Sequence, residues 1–131
     1  MMKEIRWNIP MKLISCANRA EHWSKRYKRN KNQKREIWVR FVNDKPEIQF
    51  PCFIVLTRNG PQLLDDDNLI SSFKSVKDEI ANQLIPNLRP GLADSSENLI
   101  WHYKQNKTKD YSIDIHIKTI VSFLNKDPEA H

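Results

Sequence analysis

Ile48-Gln49-Phe50-Pro51-Cys52-Phe53-Ile54-Val55-Leu56, then Asn59-Gly60-Pro61, then Asp65-Asp66-Asp67-Asn68-Leu69: these residues decide the fold class. The run from Ile48 to Thr57 is dense in β-branched and aromatic side chains and predicts a central strand. Pro51 carries no N–H for a ladder, which places the first half of that strand at an edge or a bulge. Asn59-Gly60-Pro61 predicts a turn. Beyond it, Leu69, Phe73, Val76, Ile80 and Leu84 recur at spacings of 4, 3, 4 and 4. That is one face of an α-helix over residues 68–84, stopped by Pro86.

The same patterns extend outward on both sides. Ile5, Trp7, Ile9 and Met11 alternate with polar residues and predict a first strand over 5–11. Asn18 to Val42 predicts a long helix whose larger apolar contacts are Trp23, Tyr27, Trp38 and Phe41. Its middle, Lys25 to Arg35, is polar enough for part of it to be a loop. Asn43-Asp44-Lys45-Pro46 is a break. After the helix stopped by Pro86, a loop containing Pro90 and Gly91 leads to Asp94. Leu99-Trp101-Tyr103 and Tyr111-Ile113-Ile115-Ile117 then alternate as two strands, joined around Asn106 to Asp110 in an expected hairpin. The order β-α-β-α-β-β predicts a small mixed sheet with helices packed on it, an α+β (α/β mixed) fold. A single domain is expected over residues 1–120, with 121–131 as a C-terminal tail.

Composition narrows the function classes. The chain has 131 residues, 39% hydrophobic and 29% charged, the balance of a globular protein that needs no disulfide or metal to fold. It lacks an apolar run of about 18 residues, so no membrane span is expected. The start, Met1-Met2-Lys3-Glu4-Ile5-Arg6, has no signal-peptide pattern, and a cytoplasmic location is the expectation. Cys16 and Cys52 form no CxxC arrangement; Cys52 reads as a small core residue. The histidines, among them His116 and His131, are scattered and form no ligand pattern.

Net charge is +6, and its distribution is uneven. Between Arg19 and Arg40 lie nine basic residues, Arg19, Lys25, Arg26, Lys28, Arg29, Lys31, Lys34, Arg35 and Arg40, against Glu21 and Glu36. Such a segment suits phosphate contacts that do not read bases. A solvated helix face is the plainer alternative. Trp23 and Tyr27 read as core or dimer contacts, with stacking on a base as the alternative.

An acidic focus in a basic chain suggests a divalent cation beside a polyanion surface. Mg²⁺ takes oxygen ligands, typically one or two carboxylates with water and substrate phosphate. In an extended segment Asp65 and Asp67 would point to one side and Asp66 away. Asp67 or Asn68 also sits where a helix N-cap belongs, which needs no metal. Asp67, Ser71, Lys74 and Asp78, at spacings of 4, 3 and 4, form a second stripe on the expected helix. It reads either as a solvated face or as a way to set Lys74 beside a phosphate. Asp94 is the candidate third acid, with Glu97 as a substitute.

Asp65-x-Asp67-Asn68-Leu69, Lys74 and Asp78 four apart, and Asp94 ahead of a strand together resemble the RusA family of Holliday-junction resolvases. Asn18-Arg19-x-Glu21-His22-Trp23 and Leu99-Ile100-Trp101-x-Tyr103-x-Gln105-x-Lys107 extend the resemblance over most of the chain. It implies a homodimeric endonuclease that nicks branched DNA (four-way junctions) with Mg²⁺, or Mn²⁺ in its place. It also implies Asp65, Asp67 and Asp94 as metal ligands, with Lys74 as the catalytic lysine. The family's lysine position falls on Ser71 here, and Ala93 stands where an aspartate usually precedes the third acid. A branched-DNA-binding protein without catalysis, or a nuclease for flaps and forks, are the alternative readings.

Overall fold

The computed structural model describes residues 4–14, 22–86, 93 and 96–120. Cys16, Arg19, Pro90, Gly91, Asp94, and the expected tail lie outside the described residues, as does the expected helix start at Asn18. The elements are β1 (Glu4–Ile9), α1 (Trp23–Asp44), β2 (Cys52–Gly60), α2 (Asp66–Ser72), α3 (Lys74–Leu84), β3 (Leu99–Lys107) and β4 (Ser112–Thr119). They form an α+β fold, as expected, with a mixed four-stranded sheet in the order β1-β4-β2-β3. Among the described residues no helix is long and apolar enough to cross a membrane.

One face of the sheet makes the core. Ile5, Trp7 and Ile9 of β1 stand opposite Ile117, Ile115 and Ile113 of β4, which in turn meet Ile54, Leu56 and Arg58 of β2. The helices cover this face. Trp7 meets Phe41 of α1 edge to face at 5.0 Å, and its indole N–H donates to Asp44 at 2.6 Å. From the other side Tyr103 of β3 meets Phe73 at 6.0 Å. Cys52 is fully buried, as expected, and burial pushes its thiol up to about 11. The opposite face carries Glu4, Lys118, His116 and Asp114, where the His116 ring lies 2.7 Å from Glu4 and holds its carboxyl below the usual range.

Four expectations are corrected. The first is the hairpin. β3 and β4 do not pair; β2 lies between them, parallel to β3 and antiparallel to β4. Alternation fixes which face of a strand is buried but not which strand lies beside it. β2, the most apolar strand, takes both neighbours. The link through residues 108–111 needs to span only two strand spacings, roughly 10 Å, which four residues reach easily.

The second correction is at β2 itself, which starts at Cys52, immediately after Pro51. Ile48 and Phe50 pack on the core from outside the strand. Pro51 contributes only its carbonyl, accepting from the Ile120 N–H at 2.9 Å.

The third concerns α1, which is helical throughout Lys25 to Arg35. Gln33, Ile37 and Phe41, four apart, are its buried residues, and one buried row suffices to hold a polar helix on the sheet. Trp23, Tyr27 and Trp38, expected as apolar contacts, are instead 72%, 61% and 49% exposed.

The fourth concerns the second helix, which breaks at Phe73 into α2 and α3. Ser71 and Ser72 both turn their hydroxyls back to carbonyls three residues earlier, Asn68 at 3.2 Å and Leu69 at 2.7 Å. Such back-bonding bends helices. The apolar face survives the break, because Leu69, Phe73, Val76 and Ile80 are all buried.

Candidate metal and nucleic-acid site

The acidic triplet follows the end of β2, and two inward-facing polar side chains hold its loop. Arg58, only 3% exposed, donates from Nη1 to the Gln62 carbonyl at 2.7 Å and from Nε to the Leu13 carbonyl at 3.3 Å. Gln105 of β3, paired with Arg58 in the sheet, grips Leu64 twice. Its Oε1 accepts from the Leu64 N–H at 2.9 Å and its Nε2 donates to the Leu64 carbonyl at 2.6 Å. A side-chain amide that satisfies both groups of one residue acts as an extra strand position. Neither residue was singled out from sequence as a site-builder. The signal was the inward phase of Leu99, Trp101 and Tyr103, which Gln105 continues with a polar side chain.

So held, the chain enters α2 at once. Asp65 is the N-cap, its Oδ1 accepting from the Asn68 N–H at 2.9 Å. Asp66 and Asp67 occupy the first turn, where unpaired N–H groups favour negative charge. The expectation that Asp67 or Asn68 caps the helix is therefore corrected, since the helix begins two residues earlier. So is the extended spacing that would have set Asp65 and Asp67 side by side. At about 100° per residue the helical carboxylates diverge. Among the described residues no three carboxylate, imidazole or thiol groups converge as a metal cluster.

Asp94 lies outside the described residues, whereas Ala93 and Ser96 to Leu99 are described. Ala93 is buried, the Ser96 N–H donates to its carbonyl at 3.2 Å, and the Leu99 N–H donates to the Ser96 carbonyl at 3.2 Å. The Asn98 carbonyl accepts from the Cys52 N–H at 2.9 Å, which ties these residues to the start of β2. Asp65 to Asp67 follow the end of the same strand.

Basic residues meet the α2–α3 corner from the side. α1 packs against α3, and between α1 and the helix break runs a groove of about 310 Å³. Arg26, Arg29 and Asn30 line it from α1, with Ser71, Lys74 and Ser75 opposite. Ser71, at the family's lysine position, and Lys74 thus line one groove, as their spacing of three on one helical stripe allows. Lys77, one turn on, lies over the Trp101 ring at 5.2 Å and is a packing residue instead. A second, more open groove beside α1 is lined by Lys12, Lys25, Lys28 and Arg29. Lys31, Lys34 and Arg35 line a third, with Trp38 and Glu79.

The donor set suits a hard cation in kind. Asp65 keeps one carboxylate oxygen outside its cap bond, and Asp66 and Asp67 are exposed oxygen donors at the same helix start. One or two carboxylates with water are what Mg²⁺ commonly uses. Chemically the corner joins carboxylates at a helix N-terminus to a cationic groove within about two helical turns. Comparison with protein-family models, with curated proteins and with solved structures returns no match.

Proposed function

We propose that this chain is a RusA-type, Mg²⁺-dependent endodeoxyribonuclease that acts on branched DNA as a homodimer. The observation that carries the reading is the groove. Arg26, Arg29 and Lys74 line one cleft at the α2–α3 break, and Asp65 and Asp67 stand at the N-terminal end of the same short helix, roughly 10 Å along it. A phosphodiester seated there would meet cations on two sides, with carboxylate oxygens able to recruit a cation at the N-terminal end of α2. A phosphodiester is the common biological group that needs both.

Asp65 and Asp67 would hold the cation, with Asp94 as the third acid that the resemblance implies. The metal would supply an activated water and offset charge on the scissile phosphate. The roles of the chain's own groups follow from their places. Lys74 neutralises a non-bridging oxygen as charge develops. Arg26 and Arg29 orient the phosphate, and guanidinium forks suit that task better than a point charge. Lys25, Lys28, Lys31, Lys34 and Arg35 extend the basic surface along α1 and bind backbone without reading sequence. The expected products carry 5′-phosphate and 3′-hydroxyl ends. Two sites related by a twofold axis match the opposed strands of a four-way junction.

A second reading has its own support. Capping and the helix dipole account for all three aspartates without a metal. A branched-DNA-binding protein without catalysis would need nothing more. One experiment separates the two: incubation with a labelled four-way junction, a fork, a flap and a linear duplex, in Mg²⁺ or in EDTA. Paired nicks at the junction that require Mg²⁺ are the expected result. Asp67→Asn should abolish them while junction binding persists. Lys74→Ala should slow cleavage by about 10²- to 10³-fold, the usual loss of one charge-stabilising donor. Tight binding with no nick on any substrate selects the binding protein.

A further inference from the structure

α1 carries an uncovered row of aromatic and basic side chains whose aromatic members the nuclease reading leaves unused. At about 100° per residue, Trp23, Tyr27, Lys31, Lys34 and Trp38 fall within an arc of roughly 80°. The arc borders the buried row of Gln33, Ile37 and Phe41. Trp23 and Phe41 are five turns apart and so share one angle on the helix. Phe41 is buried, yet Trp23 is 72% exposed. The position is therefore uncovered because nothing among the described residues packs on that end of α1, although its direction suits burial. Tyr27 is 61% and Trp38 49% exposed, so the row is open along about 22 Å of helix. Trp23 is also braced, its ring stacked on His22 at 5.7 Å and 28°.

Three occupants fit an exposed aromatic row in general, and the charges discriminate among them. A second copy of the chain would bring Lys31 and Lys34 against their own equivalents, with Lys28 and Arg35 close by. Lysine is depleted in the centres of protein interfaces, and facing like charges are costly. A lipid surface would need a broad apolar face with cations at its border. Here the cations lie within the row, and the rest of the helix is polar or faces the core. A single nucleic-acid strand offers what the row offers in complement: flat apolar faces alternating with phosphates. A perfect duplex does not, because its bases are already stacked on one another.

We propose that Trp23, Tyr27 and Trp38 form a stacking platform for unpaired bases, with Lys31 and Lys34 on the intervening phosphates. The inference rests on the DNA-acting reading above and narrows its substrate class. The preferred DNA has unpaired nucleotides at or beside the branch, not fully paired arms alone. The platform orders a loose strand alongside the groove of Arg26, Arg29 and Lys74. Stacking tolerates any base, so the preference is for structure and not for sequence.

The test uses the full chain in EDTA, where nothing is cut. Binding of a fluorescent oligothymidylate 15-mer and of a duplex of equal length is measured for wild type, for Trp23→Ala/Tyr27→Ala and for Trp23→Phe/Tyr27→Phe. Loss of a stacked aromatic typically weakens binding about 5- to 150-fold per base. The double alanine variant should therefore lose at least about 25-fold on the single strand and under about 3-fold on the duplex. The double phenylalanine variant should recover most of it, and single-strand binding should quench tryptophan emission. Equal losses on both DNAs, or no loss on either, overturn the proposal. So does a variant that keeps its DNA affinity but loses self-association in sedimentation, or loses binding to anionic phosphatidylserine vesicles. Cleavage is scored separately in Mg²⁺: a chain that stacks single strands but never cuts sinks the nuclease and leaves the platform standing.

Discussion

The acidic corner at the start of α2 and the basic half of α1 are built in opposite ways. The corner is specified by tertiary hydrogen bonds: buried Arg58 reaches two carbonyls, and Gln105 closes on both backbone groups of Leu64. The exposed face of α1 is specified by helix periodicity alone, and its exposed side chains meet little of the fold. Chemistry that requires carboxylates at fixed positions belongs on the first kind of structure. Capture of a long flexible polyanion requires only a row of charge and flat rings, and the second kind suffices. The contrast predicts that mutation should affect stability and activity differently at the two places.

The largest effect is expected at Arg58. Arg58→Ala leaves the Leu13 and Gln62 carbonyls without their donor and empties the space beside the Tyr111 ring, 5.8 Å from the guanidinium. A cost of about 2–4 kcal/mol is expected from urea unfolding, since buried acceptors are left unpaired. A cost below about 0.5 kcal/mol would mean the loop is held by something else.

Gln105→Ala comes next. It removes two hydrogen bonds at a half-buried site and should cost about 1–2 kcal/mol. Its sharper signature is kinetic, because the start of α2 loses its register while α1 is untouched. Junction cleavage should fall by more than junction affinity, compared by single-turnover assay and filter binding. Parallel losses in the two would erase the distinction between the regions.

The smallest stability effect is expected on α1. Replacing Lys28, Lys31 and Arg35 together with alanine should leave unfolding within about 0.5 kcal/mol of wild type. The slope of log affinity against log salt on a duplex should become shallower by up to about 2.7, near 0.9 for each phosphate no longer neutralised. An unchanged salt slope would show that DNA does not lie along this face.

Much of the fold was legible from residue patterns, because burial on one side imposes a period on the chain. The isoleucines of β4, the apolar face from Leu69 to Ile80 and the central place of β2 all follow from it. The errors share a cause. Periodicity is a property of one segment and does not name its neighbour, so β3 and β4 read as a hairpin although β2 separates them. It also assigns Trp23 to a buried direction without telling whether anything lies there. The Ser71-Ser72 break was hidden because the apolar face runs through it without a change of phase.

At the candidate site the same division holds. The acidic triplet, the basic run and Lys74 stand in the sequence for anyone to read. That Asp65 caps α2, that Ser71 and Lys74 share a groove with Arg26 and Arg29, and that Gln105 fixes Leu64 depend on packing. Residue order alone sets the charge of each surface and the face each element buries, because both depend on side-chain type and local period. Which surfaces meet is settled in the folded chain, because strand neighbours, helix breaks and long-range hydrogen bonds come from competition for one shared core.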